Sequence, residues 1–113
     1  MELPPTVPAW MADLETERFI AASDAALRLF GYSRDEFMGL RPKDIVVAEE
    51  HSGLEARRAR SRARWGEGHT WTCIRRDGSR FTMKVRFHVT EVNGRQAYLV
   101  MATDVRDIGV IAS

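Results

Sequence analysis

From Phe81 to Thr90 the chain alternates without a break. Phe81, Met83, Val85, Phe87 and Val89 are apolar, and Thr82, Lys84, Arg86, His88 and Thr90 are polar. A two-residue period is that of an extended strand with one face on a core and one on water. Asp77-Gly78 before this run and Asn93-Gly94 after it are the residues that tight hairpin turns demand. Residues 70–76 and 96–105 are therefore expected as its antiparallel neighbours. The last of the three is apolar on both faces in its middle, which predicts a central strand.

The first half of the chain changes period. Two short strands are expected over residues 10–13 and 18–21, joined by Glu15-Thr16-Glu17. Ser23 or Asp24 can then cap a helix anchored by Leu27, Leu29 and Phe30, with Gly31 where a left-handed residue would end it. A second helix restarts at once, with Ser33 and Glu36 spaced as a capping box, Tyr32 and Phe37 as its hydrophobic staple, and Gly39 at its end. Arg41-Pro42-Lys43-Asp44 suits one more turn with Pro at the first position. Residues 49–65 are the one long helical candidate. Two strands, short helices, a longer helix and three antiparallel strands make an α+β layout, with helices packed on one face of a sheet.

Composition narrows the class. The 113 residues, 44% hydrophobic, suffice for one core and one domain. The domain is expected over residues 9–107, behind a Pro-rich leader at 1–8 and ahead of a linker at 108–113. Seventeen basic and sixteen acidic residues give a formal +1, so no global field draws the chain to nucleic acid or an anionic membrane. No apolar run approaches the roughly 20 residues of a membrane span, and the start lacks the form of a signal peptide. With Cys73 alone no internal disulfide forms, and a reducing cytoplasm is the expected setting.

Three stretches, taken in order, carry a resemblance. They are A-L-R-L-F-G-Y-S-R-D-E-F-M-G, R-R-D-G-S-R-F-T-M-K-V, and Gly94 followed by A-Y-L-V-M-A-T-D-V-R-D. Together they resemble the PAS domains of bacterial signalling proteins. The resemblance implies a five-stranded antiparallel sheet with the last strand beside the first, and short helices folded over one face to make a pocket. The usual Asp-Ile-Thr ending appears here as Asp104-Val105-Arg106. In this family the pocket holds haem, a flavin, a small metabolite or nothing.

Within the family, Glu50-His51-Ser52-Gly53 followed by Arg57 is similar to the E-H-x-G-x-x-x-R segment of rhizobial oxygen-sensing haem kinases. The resemblance implies His51 as the axial ligand of haem b, its one metal ligand, and Arg57 as a propionate partner. Met83, Val85, Phe87 and Val100 would line the haem. The alternative reading is a solvated His near a helix start. If the stripe of Ala56, Ala59 and Ala63 packs on the core, His51 points away from it. The distal Arg of the oxygen sensors has no counterpart, with His69 or Thr70 in its region.

Other chemistry-bearing residues have plainer readings. Cys73 lies on a strand outside the N-C-R-F-L-Q type helix of flavin-binding light sensors, so a small buried core residue is expected and flavin is not. Arg57, Arg58, Arg60, Arg62 and Arg64 spread round their helix without an aromatic ladder, which fits a solvated face rather than a nucleic-acid site. Trp10, Trp65 and Trp71 could stack on a planar ligand or fill the core. His88 falls on the polar side of its strand. Asp13, Asp24, Asp35 and Asp44 have turn or capping roles. Phosphate-loop, nucleophile-elbow and zinc-protease motifs are absent from the sequence.

The expected function is a non-catalytic sensory module that binds a small ligand, a cofactor or a partner. Its state would be relayed to an output domain of a longer polypeptide, such as a kinase, a cyclic-dinucleotide enzyme or a transcription regulator. The alternative is a dimerisation module with a filled core. A homodimer is expected in either case, through Trp10, Met11 and the outer side chains of residues 96–105.

Overall fold

The sheet follows directly from the alternating run and its two turns. The computed structural model describes residues 3–53 and 65–108. Its strands are β1 (Ala9–Asp13), β2 (Phe19–Ala22), β3 (Trp65–Ile74), β4 (Arg80–Val92) and β5 (Arg95–Asp107). They pair antiparallel in the order β2-β1-β5-β4-β3, so β5 is central and the first and last strands are neighbours. Asn93 and Gly94 both take left-handed backbone, φ 50° and 79°, as a two-residue hairpin matched to the sheet's twist requires. The β3–β4 turn places Gly78 at φ 89°, with Arg75 bonded to both Gly78 and Ser79 across it.

Register sorts the side chains by face. Trp10 pairs with Val100, Ala12 with Tyr98, Phe87 with Val100 and Trp71 with Met83. These residues share the inner face. Over it pack α1 (Asp24–Phe30), α2 (Arg34–Met38) and α3 (Pro42–Ile45). Ser23 Oγ accepts from Ala26 N at 3.1 Å, and Gly31, at φ 82°, returns its N–H to Leu27 O at 2.8 Å. Both halves of the Ser33/Glu36 capping box form, and the Tyr32 and Phe37 rings meet at 6.4 Å. Gly39 ends α2 with ordinary right-handed backbone.

The core is aromatic. Phe19 stacks on Phe37 at 4.4 Å, and Phe30 meets Trp10 at 5.5 Å and Phe81 at 5.3 Å. Burying each such ring stabilises the fold by about 1.5–3 kcal/mol. The Pro-rich leader has few donors, but its carbonyls still accept. Ala25 N donates to Pro5 O at 3.0 Å, Ser23 Oγ to Val7 O at 2.7 Å, and Ala102 N to Pro8 O at 2.9 Å.

Three expectations need correction. Trp65 does not end a helix: it opens β3 opposite His88, and β3 runs five residues further upstream than the sequence pattern indicated. Two glycines, Gly66 and Gly68, had masked that strand. Of the helix expected over residues 49–65, Ala48–Glu50 form a 3-10 turn and residues 51–53 are helical. The remainder, with the Ala stripe, Arg57 and the Arg cluster, lies outside the described residues. Trp10 is turned inward and only 4% exposed, and Met11 is only 1% exposed, so neither is available to an outer-face contact.

Candidate functional site

Between the inner face of the sheet, α3 and the segment that follows it lies a cavity of about 540 Å³. Trp10, Ala12, Trp71, Met83, Val85, Phe87, Tyr98 and Val100 form its sheet wall, and Ile45, Val46 and His51 form the opposite one. The four apolar lining residues named from the sequence are therefore brought together, and His51 joins them. Phe87 is held in place by a T-shaped contact with Tyr98 at 5.6 Å.

The wall that carries His51 is fastened to β3 and β4 at several points. Val46 bridges to Cys73, and Val47 N donates to Thr72 O at 3.0 Å. Thr72 N donates to Glu50 Oε1 at 3.0 Å, and Arg80 pairs with Glu49 at 2.9 Å. Glu50 of the motif thus accepts a backbone N–H from within β3.

His51 is half-buried and its Nε2 lies 2.8 Å from Val46 O. A carbonyl can only accept, so Nε2 carries the proton and Nδ1 keeps the lone pair in the neutral ring. The imidazole lines the cavity with one nitrogen held on the backbone five residues upstream. Nδ1 is then the ring nitrogen left to meet a ligand, and Arg57, the propionate partner of the haem b expectation, lies outside the described residues. The ring is also not freely solvated, which corrects the alternative reading.

His69 sits with its ring against Trp71 at 4.2 Å, and His88 is exposed. Cys73 is fully buried at the β3–β4 pairing and does not line the cavity. Burial, reinforced by the nearby Glu50 charge, pushes its thiol up to about 12. A thiol so protonated is inert as a nucleophile at neutral pH.

The polar rim was not foreseen from the sequence. Asp13, Glu17, Arg41 and Lys43 stand at the mouth, with the Tyr98 ring beside them. Asp13 accepts from Glu15 N at 2.8 Å, Thr16 N at 3.0 Å and Arg95 Nε at 2.7 Å. The Arg95 guanidinium and these N–H groups hold its carboxyl well below the usual carboxylate range. Asp13 also borders a second, smaller crevice of about 320 Å³ on the outer side, beside Met11, Ile20, Val92 and Arg95. In the sequence Arg41 and Lys43 stand as two cations flanking Pro42, a pattern that by itself indicates only turn chemistry.

A family model for the PAS domain matches residues 7–107. The chain belongs to the PAS domain family. No curated protein matches the sequence. Among solved structures, a PAS domain from a two-component sensor histidine kinase is 19% identical with a TM-score of 0.69, over 90% of this chain and 85% of that one. A domain of a sensory box sensor histidine kinase/response regulator from Geobacter sulfurreducens is 22% identical with a TM-score of 0.72, over 87% and 82%. The Rhodobacter sphaeroides LOV protein is 16% identical with a TM-score of 0.72, and this PAS domain spans 61% of it.

Among the described residues no three His, Cys, Asp or Glu side chains are grouped to hold a metal ion. No described helix is long and apolar enough to cross a membrane. What this PAS domain offers chemically is an apolar chamber with charged residues in its lining, built on the sheet in which the first and last strands are neighbours.

Proposed function

We propose that this PAS domain is a non-catalytic sensory module whose cavity takes a small ligand. Occupancy shifts the packing of the sheet, and the flanking segments pass that state to an output domain of a longer polypeptide, such as a kinase, a cyclic-dinucleotide enzyme or a transcription regulator. The observation that carries the reading is the convergence of Met83, Val85, Phe87, Val100 and His51 on one cavity of about 540 Å³. That volume is in the range of small-molecule sites, roughly 300–1,000 Å³, and its apolar lining with a few polar groups is their usual composition. Asp13 supplies a route outward, since it borders both the cavity and the outer crevice.

The test is a two-dimensional amide NMR titration of the full chain with a small-molecule fragment library. Binders should shift Trp10, Tyr98 and Val100 and also Asp13 and Arg95. If no fragment perturbs the cavity residues, the sensory reading fails, and a ligand-free interaction module becomes the better account. Shifts confined to the cavity would remove the relay but keep the binding site.

A further inference from the structure

The four charged side chains at the cavity mouth carry equal numbers of each sign, but they are not equally available. The Asp13 carboxylate is fully engaged by Arg95 and two backbone N–H groups. Glu17 also has a partner. Arg41 uses its backbone, not its guanidinium, to bond Asp44: its N–H donates to Asp44 Oδ2 at 2.9 Å and its carbonyl accepts from Asp44 N at 2.9 Å. The Lys43 ammonium, two residues on, is exposed. Neither cationic side chain has an ion-pair partner among the described residues. Among the described residues, positive charge is thus left without an ion-pair partner beside a largely apolar chamber.

We propose that the cavity takes a small organic acid, with its apolar body against Trp10, Trp71, Met83 and Val100 and its anionic group at Arg41 and Lys43. The inference rests on the ligand-binding reading of the cavity and adds the charge and polarity of the occupant. Half-buried Arg41 is the stronger anchor, because a guanidinium can grip a carboxylate with two parallel hydrogen bonds in a partly desolvated mouth. Lys43 contributes a point charge. A cationic ligand is disfavoured, since the Asp13 carboxylate is engaged by Arg95 and Glu17 also has a partner.

Two fluorescent probes that share a skeleton isolate the charge. 1-Anilinonaphthalene-8-sulfonate carries an anionic group, and N-phenyl-1-naphthylamine is the same body without it. In fluorescence titrations of the full chain, the sulfonate should bind the more tightly. The paired substitution Arg41→Ala with Lys43→Ala should weaken the sulfonate by roughly tenfold or more, the scale of a lost charge-assisted contact, and leave the neutral probe within about twofold. Both positions are at the surface of the mouth, and circular dichroism verifies that the variant is folded. Equal affinity for the two probes, or a sulfonate affinity unchanged in the variant, overturns the acid preference while the cavity reading stands. Failure of both probes to bind the wild-type chain overturns both. Binding of both that survives Val100→Lys, a charge placed in the chamber, moves the probes elsewhere and overturns both as well.

Discussion

Asp13 at the end of β1 and Arg95 at the start of β5 are 82 residues apart in sequence and joined through two hydrogen bonds, Nε to Oδ2 at 2.7 Å and Nη2 to Oδ1 at 3.2 Å. The pair clamps the Glu15-Thr16-Glu17 turn, where Glu17 takes φ 66°, to the β4–β5 hairpin. Asp13 lines both the cavity and the outer crevice, and Arg95 lines the crevice. Because Asp13 titrates below its unfolded value, it stabilises the fold above that value, about 3.9, and the contribution is lost as pH falls towards the folded one. Asp13→Asn should therefore lower stability at neutral pH and flatten the fall in stability below about pH 4. Urea unfolding across pH measures this. A variant with the acid limb of the wild type would show that other carboxylates, such as Glu36, Glu49 and Asp77, carry all of it.

Gly31 and Gly94 hold left-handed backbone, whereas Gly39 does not. A β-branched residue at φ near 80° is strained by about 1–3 kcal/mol, so Gly31→Val and Gly94→Val should each lower the melting temperature by several degrees. Gly39→Ala should be neutral, since its Cβ would meet Glu36 O at an ordinary 3.5 Å. Equal thermal shifts in all three would contradict the turn geometry.

These same glycines explain what the sequence discloses. Gly31, Gly94 and the Ser33/Glu36 box act within a few residues, so local chemistry alone decides them. The face of Trp10 is different, because a five-residue strand has two possible parities and only its pairing with Val100 selects one. His51 lines the cavity, and its ring is held by Val46 O, a contact that no motif encodes. Arg41 and Lys43 gained their significance from which acids were already paired, and that is a property of the folded mouth.

Gly66 is a close-packing position rather than a turn. A Cβ there would lie 2.6 Å from Phe87 Cε1 and 3.0 Å from Cζ. Gly66→Ala should push the Phe87 ring off its seat and towards Tyr98 and the cavity, costing about 1–3 kcal/mol as an overpacked site. A thermal melt gives the cost, and weaker binding of a cavity ligand reports the ring's displacement. An unchanged melt would mean that the ring moves away at no cost.

Cys73 reports on opening of the β3–β4 pair. With its thiol fully buried and titrating near 12, thiolate is scarce at pH 8 and reagent access requires unfolding. Labelling with a disulfide reagent should follow the urea-unfolding curve of the domain. Rapid stoichiometric labelling in native buffer would show a local opening at Cys73 far below the global unfolding free energy.

Self-association is expected through the outer face, now without Trp10 and Met11. Leu99 and Met101 are paired with Met11 and Ala9 on the side opposite the cavity and remain half-buried, and Ile20, which lines the outer crevice with Met11, is 43% exposed. Apolar groups left partly wet on a sheet gain about 25 cal/mol for each Å² that a second copy removes from water. A twofold dimer repeats that gain on both chains. Light scattering should show a concentration-dependent dimer, and Leu99→Lys and Ile20→Lys should each shift it towards monomer with little change in folding. Arg28→Lys, on α1 away from this face, should leave the association constant unchanged. A strictly monomeric mass at high concentration, or dimers indifferent to both Lys substitutions, would move the partner contact off this face.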